Sequence, residues 1–171
     1  GWIPTDKPKK IKEMSLIEIY TDGSSRGNPG PGGYGIVMSY KGNEKEISQG
    51  FRKTTNNRME LLAVIVAIES LKTPKIPVKV YSDSKYVIDS ITKGWLDSWI
   101  IKRFKGKKNQ DLWMRYHASS KPFSISFEWV KGHAGNSKNE RCDVLAVEAS
   151  KKENLDVDKV YEGNDGNTSL L

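Results

Sequence analysis

Apolar and polar residues alternate with a period of two in some stretches of the chain and of about 3.6 in others, and each switch marks an element boundary. Leu16, Ile17, Ile19 and Tyr20 predict a first strand. Tyr34–Tyr40 and Glu44–Phe51 flank the turn triplet Lys41-Gly42-Asn43 and predict an antiparallel hairpin. Asn57 then offers an N-cap, with Glu60 three residues later and an apolar run to Leu71. That run is rich in β-branched residues and would suit a buried strand, but the cap and the length favour a helix buried nearly all round. Pro74 and Pro77 stop it. Val78–Ser82 predicts another strand, followed by helical stretches at Tyr86–Ile91, Leu96–Phe104 and Asp111–Ala118. Ile125–Val130 alternates as a last strand, and Ser137-Lys138-Asn139-Glu140 is a capping box opening a helix through about Ala149. The order β-β-β-α-β-α-α-α-β-α predicts a mixed sheet with helices packed on it, in the α/β class.

The two ends lack this periodicity. Residues 1–14 are rich in lysine and proline and read as an arm or linker. Residues 151–171 are polar and read as a loose tail, anchored near Val157–Tyr161, which leaves residues 15–150 as one domain. With 171 residues the chain can bury a core without a metal or disulfide staple. Its single cysteine, Cys142, excludes an intramolecular disulfide framework. The longest apolar run, Leu61 to Ile68, is far short of the roughly 20 residues a membrane-spanning helix needs. Neither a secretory leader nor an Arg-rich transit segment opens the chain, so a cytoplasmic location with no membrane partner is expected, and a monomer is expected as well. The net charge of +7 favours a polyanionic partner.

Four carboxylates stand out by placement. Asp22 ends the first predicted strand, Glu60 lies in the first turn of the long helix, Asp83 ends the strand Val78–Ser82, and Asp143 sits in the second turn of the last helix. Functional groups of α/β sheets gather beyond the carboxyl ends of strands. Acids gathered there from two strands and two helices need cations, and hard oxygen ligands select Mg²⁺ or Mn²⁺. One cysteine and two separated histidines cannot close a zinc site. Each acid also has a plainer reading: Glu60 as the partner of an Asn57 cap, Asp22 and Asp83 in Asx-turns, Asp143 as a solvated surface group. Taken singly, the plainer reading is favoured.

The segment from Asp22 to Gly35 holds six of the fifteen glycines. It fits neither nucleotide-binding fingerprint, because no Lys-Ser/Thr follows at phosphate-loop spacing and no Gly-x-Gly-x-x-Gly opens a helix. It does belong to a longer pattern: Thr-Asp-Gly-Ser at 21–24, Gly-Asn-Pro-Gly-Pro-Gly-Gly-Tyr-Gly at 27–35, Thr-Thr-Asn-Asn-Arg-Met-Glu-Leu at 54–61, Asp-Ser-Lys-Tyr-Val at 83–87, Trp-Val-Lys-Gly-His-Ala-Gly at 129–135 and Asn-Glu-Arg-Cys-Asp at 139–143. Across these segments the chain resembles a type 1 ribonuclease H of the bacterial kind, from Leu16 to about Ala149.

The resemblance implies a ribonuclease H-like five-stranded mixed sheet flanked by helices. It implies an endoribonuclease that hydrolyses the RNA strand of RNA–DNA hybrids, leaving 5′-phosphate and 3′-hydroxyl ends. By resemblance Asp22, Glu60, Asp83 and Asp143 are an acidic tetrad for two Mg²⁺ ions, with Mn²⁺ as a substitute, and His133 is a loop histidine that shuttles a proton or gates product release. A surface-loop histidine is the plainer alternative. Asn28, Asn56 and Glu60 are expected near the 2′-hydroxyl that separates RNA from DNA. Thr55 resembles part of a pocket for a DNA-strand phosphate, and helix capping would explain Thr55 and Asn56 equally. Lys85 stands where many relatives carry Gln, which points to a phosphate contact rather than groove readout. Between residues 93 and 108, six positive side chains (Lys93, Lys102, Arg103, Lys105, Lys107 and Lys108) face one negative, Asp97, interleaved with Trp95, Trp99 and Phe104. This resembles the family's basic protrusion, where lysines follow phosphates and rings pack on deoxyriboses. The plainer reading is a solvated helix with core-facing tryptophans. Trp113 and Trp129 are expected in the core, and His117 is assigned only packing or solvent contact.

Overall fold

The structure is a computed structural model and describes residues 16–131 and 135–167. Strand β1 (Ile17–Ser25) runs antiparallel to β2 (Gly30–Tyr40), which pairs with β3 (Asn43–Thr54). Helix α1 (Asn56–Glu69) crosses to β4 (Val78–Ser82), and α2 (Lys85–Thr92), α3 (Trp95–Ile101) and α4 (Gln110–Ser120) lead to β5 (Ile125–Trp129). Helix α5 (Ser137–Ser150) and a short α6 (Lys159–Asn167) complete the order. The sheet is five-stranded, β3-β2-β1-β4-β5, with β4 parallel to β1 and β5 parallel to β4. The mixed sheet expected from the pattern is therefore present.

The β2–β3 hairpin closes on the Tyr40–Asn43 pair, with Lys41 and Gly42 both at positive φ. That two-residue left-handed turn matches the natural twist of the strands. The glycines at 30, 32, 33 and 35, which look like loop in the sequence, lie in β2; Gly32, Gly33 and Gly35 pair on both sides with β1 and β3, and Gly30 pairs with β3. Their lack of side chains hides the period-two signal.

Alternation along the strands divides two cores. Ile19 and Ile36 face a large cluster that includes Met59, Leu61, Ile65, Val80, Val87 and Trp113. Tyr20 and Val37 face the opposite side, against Cys142 and Leu145 of α5. Helix α1 lies between the sheet and α4, which explains why its apolar residues run all round: ten of its residues are buried, from Arg58 to Ile68.

Three boundaries differ from expectation. The N-cap of α1 is Thr55, whose hydroxyl accepts from Arg58 N at 3.2 Å, not Asn57. The N-cap of α5 is Asn136, accepting from Lys138 N and Asn139 N, not Ser137. Helix α3 ends at Ile101 rather than Phe104, because Arg103 and Phe104 take left-handed φ values of 53° and 58°. This turn buries the Phe104 ring and leaves the neighbouring cations exposed.

Candidate active site and nucleic-acid interface

Asp22 is not at the end of its strand, as expected, but inside it, paired with Gly35 of β2. Strand β1 has β4 as a neighbour only as far as the Tyr20–Tyr81 pair, whereas β2 accompanies it to Ser25. Asp22 therefore stands where one flank of β1 has become open. Strand β4 ends at Ser82, and Asp83 follows directly beside that opening.

Two glycines let helices reach the same point. A Cβ at Gly23 would lie 2.4 Å from Glu60 N and from Met59 C, so only glycine allows α1 to lie this close to β1. A Cβ at Gly35 would lie 2.3 Å from Cys142 O, so the same holds for α5 against β2. The first approach delivers Glu60, which lies in the second turn of α1 rather than the first, and the second delivers Asp143. One carboxylate oxygen from each of Asp22, Glu60 and Asp83 falls within 4.8 Å of the others, and Asp143 lies close enough to Asp22 to raise its pKa.

The electrostatics of this cluster follow from its geometry. Burial pushes the Asp22 carboxyl up to about 8, with the charges of Asp83 and Asp143 adding to the effect and the bond from Gly23 N at 2.9 Å opposing it. Burial likewise holds the Glu60 carboxyl well above its ordinary range, reinforced by Asp22. Glu60 Oε1 is buried with no hydrogen-bond partner among the described residues. A buried, oxygen-only donor set with an orphaned carboxylate oxygen and mutual repulsion fits a hard divalent cation. Asp22, Glu60 and Asp83 can hold such an ion, with Asp143 beside them.

The family profile for ribonuclease H matches residues 14–151, across all four acids. The chain belongs to the ribonuclease H family. It is 51% identical over 159 residues to the ribonuclease H of Desulforamulus reducens, covering 90% of this chain and 98% of that protein. Its fold is similar to that of a crystallised type 1 ribonuclease H carrying the type 2 active-site motif, at a TM-score of 0.70 and 32% identity over 79% of this chain and 72% of that one. It is also similar to a ribonuclease H1 crystallised in complex with an RNA/DNA hybrid, at a TM-score of 0.60 and 30% identity over 78% of this chain and 95% of that one.

The other predicted residues of this ribonuclease H surround the acids unevenly. Asn56 Oδ1 accepts from Ser25 N at 2.7 Å and from Ser25 Oγ at 3.2 Å, while Asn28 Oδ1 accepts from Asn56 N at 3.1 Å. The β1–β2 connection and the first turn of α1 are thus tied together on an exposed surface. The oxygen of Thr55 caps the helix, and its hydroxyl proton remains a donor, so capping and phosphate contact are compatible. Lys85 opens α2, and its ammonium sits 4.1 Å from the centroid of the Trp129 ring. Trp129 is not in the core as expected: it is 40% exposed, and its indole N–H donates to the Asp83 carbonyl at 3.1 Å. It is the final residue of β5, an edge strand none of whose residues is fully buried. His133 lies outside the described residues.

The basic segment forms one side of a groove lined by Asn57, Tyr86, Trp95, Trp99, Lys107 and Lys108. Trp95 is 44% exposed, whereas Trp99 packs against Trp113, and Lys107 lies 5.4 Å from the Trp99 ring centroid. The two tryptophans therefore differ in exposure despite their four-residue spacing, Trp95 being exposed and Trp99 half-buried. Lys102, Arg103, Lys105, Lys107 and Lys108 are all exposed.

Sequence reasoning assigned no role to Arg58 or Asp158. Arg58 is buried and directs its guanidinium at Asp158 and Asp111, with Nε to Asp158 Oδ2 at 2.7 Å and Nη2 to Asp111 Oδ2 at 2.7 Å. The signal available was an arginine in the first turn of a helix expected to be buried nearly all round, which demands a buried counter-charge.

Proposed function

We propose that this chain hydrolyses the RNA strand of RNA–DNA hybrids, leaving 5′-phosphate and 3′-hydroxyl ends, with Asp22, Glu60, Asp83 and Asp143 as its catalytic carboxylates. The observation that carries the reading is the meeting of Asp22, Glu60 and Asp83 within 4.8 Å, with Asp143 beside Asp22. Mg²⁺ is the proposed metal, two ions per site with substrate, and Mn²⁺ is an accepted substitute. Such a pair, when bound, activates the attacking water and neutralises charge on the leaving oxygen.

The chain's own residues hold and orient the hybrid. Asn28 and Asn56, joined through Asn56 N and Asn28 Oδ1, offer their amide groups to a 2′-hydroxyl, the group DNA lacks. Thr55 donates its hydroxyl proton to a DNA-strand phosphate. Lys85, held against Trp129, presents its ammonium to a backbone phosphate beside Asp83. Lys102, Arg103, Lys105, Lys107 and Lys108 follow the DNA-strand phosphates, and Trp95 and Trp99 present ring surface to deoxyriboses. His133 accepts and returns a proton, on the strength of its motif alone. The enzyme acts as a monomer in the cytoplasm, a reading supported by a site built from one chain; no described helix is long and apolar enough to cross a membrane.

The test compares end-labelled hybrid, RNA duplex and DNA duplex of one sequence in Mg²⁺. Cleavage confined to the RNA of the hybrid supports the reading, and equal cleavage of the DNA duplex would overturn it.

A further inference from the structure

Residues 155–162 run along the free edge of β3 instead of leaving the fold. Arg52 N donates to Asp156 O at 2.9 Å, and Asp156 N donates to Gly50 O at 3.0 Å, a parallel bridge outside the main sheet. Gln49 Nε2 donates to the Asp156 carboxylate, and Arg52 makes a two-pronged pair with Glu162 at 3.0 and 3.1 Å. Thr54 Oγ1 donates to Asp158 Oδ2 at 2.8 Å. The segment is therefore stitched to the last six residues of β3, ending next to the start of α1.

At that point Asp158 meets Arg58. The guanidinium uses all five of its N–H donors. Nε and Nη2 reach the two Asp158 oxygens at 2.7 and 2.8 Å, Nη1 and Nη2 reach the two Asp111 oxygens at 2.9 and 2.7 Å, and Nη1 also reaches Asn109 Oδ1 at 3.3 Å. Burial alone would lower the affinity of Arg58 for its proton, and the two carboxylates more than reverse that. Lysine, with one ammonium, cannot reproduce two bidentate pairs. Asn109 passes the connection on, donating from Nδ2 to Tyr86 OH at 3.1 Å, in the wall of the groove beside Lys107 and Lys108.

Arg58 belongs to the same helical turn as Thr55 and Asn56. That turn is clamped on one side by Ser25 and Asn28 and on the other by Asp158 and Asp111. We propose that residues 155–162 are a strap, and that Asp158 and Arg58 are positioning residues which hold the first turn of α1, with Thr55 and Asn56, in register with the basic groove so that one hybrid engages both. The inference rests on the hybrid-cleaving reading above. The other end of α1 supplies a comparison: Arg115 joins α4 to Glu69 through two bonds of 2.6 and 2.8 Å, equally an α1–α4 ion pair but remote from Thr55 and Asn56.

The test measures steady-state kcat and KM for an RNA–DNA hybrid in Mg²⁺, together with melting midpoints, in the full chain and its Asp158→Asn, Arg52→Ala and Arg115→Ala variants, at a temperature where all are folded. Asp158→Asn keeps the volume and an acceptor for Thr54 but removes the charge facing Arg58. Arg52→Ala loosens the outer end of the strap at an exposed residue and leaves the buried network in place. The expected result is a rise of roughly fivefold in KM for Asp158→Asn, the factor corresponding to about 1 kcal/mol, with kcat nearly unchanged. A smaller rise is expected for Arg52→Ala, and an unchanged KM for Arg115→Ala. A lower melting midpoint with wild-type KM in both strap variants would overturn the positioning role and leave hybrid cleavage standing. The same KM rise in Arg115→Ala would overturn it too. Wild-type protein that does not cleave the hybrid would overturn both readings.

Discussion

At the level of single residues, the site is held in a state that is unfavourable without cations. The unfolded Asp22 carboxyl ionises near its ordinary value of 3.8, while burial and the neighbouring acids raise the folded value to about 8. Between those values the folded chain binds more protons than the unfolded one, so in metal-free solution Asp22 lowers stability as pH rises. The melting midpoint of metal-free Asp22→Asn should therefore gain on wild type from pH 4 to pH 8, and saturating Mg²⁺ should close the gap for wild type. Parallel curves for the two proteins in EDTA would show that Asp22 is not strained by its neighbours. The proton role proposed for His133 gives it a smaller share of the reaction. Its replacement by alanine should slow single-turnover cleavage without ending it, because general acid–base assistance typically contributes only ~10²–10⁴-fold. A wild-type rate in both single and multiple turnover would leave His133 as a loop residue.

Among the elements, helix ends and one basic segment are proposed to do most of the positioning. Thr55 caps α1 from an extended conformation, and Thr55→Ala should cost about 1 kcal/mol of stability, seen as a fall of about 2–4 °C in the melting midpoint. Lys105, Lys107 and Lys108 are exposed and remote in sequence from the four acids. Replacing all three with alanine should raise KM and flatten the plot of log affinity against log salt by ~0.9 per lost phosphate contact, with little change in the chemical step. An unchanged slope would make the segment a solvated face. The elements themselves were legible in the sequence wherever side chains alternate or cap, as in the β2–β3 hairpin and β4. They were least legible where side chains are absent or partners distant. The β2 glycines carry no pattern, and the caps shifted by one or two residues because Thr55 and Asn136, not their neighbours, have extended backbone. Trp129 read as core because its strand alternates, yet β5 is an edge strand none of whose residues is fully buried.

For the whole molecule, the sheet is the scaffold on which both faces converge at one place. Asp22, Asp83 and Asp143 were legible because their motifs are long, whereas their meeting depends on two close helix approaches that only Gly23 and Gly35 permit. The Arg58–Asp158 contact was illegible because its partners are 100 residues apart and nothing local pairs them. What the chain's central claim requires is that four carboxylates from four elements act as one site. It is tested most directly by single-turnover cleavage of an RNA–DNA hybrid in Mg²⁺ by Asp22→Asn, Glu60→Gln, Asp83→Asn and Asp143→Asn, with hybrid affinity measured on the same preparations. The account predicts that each variant binds hybrid nearly as wild type does and loses cleavage by at least about a thousandfold, the scale set by removing a preorganised electrostatic group. Near-wild-type cleavage by any one of the four would contradict it.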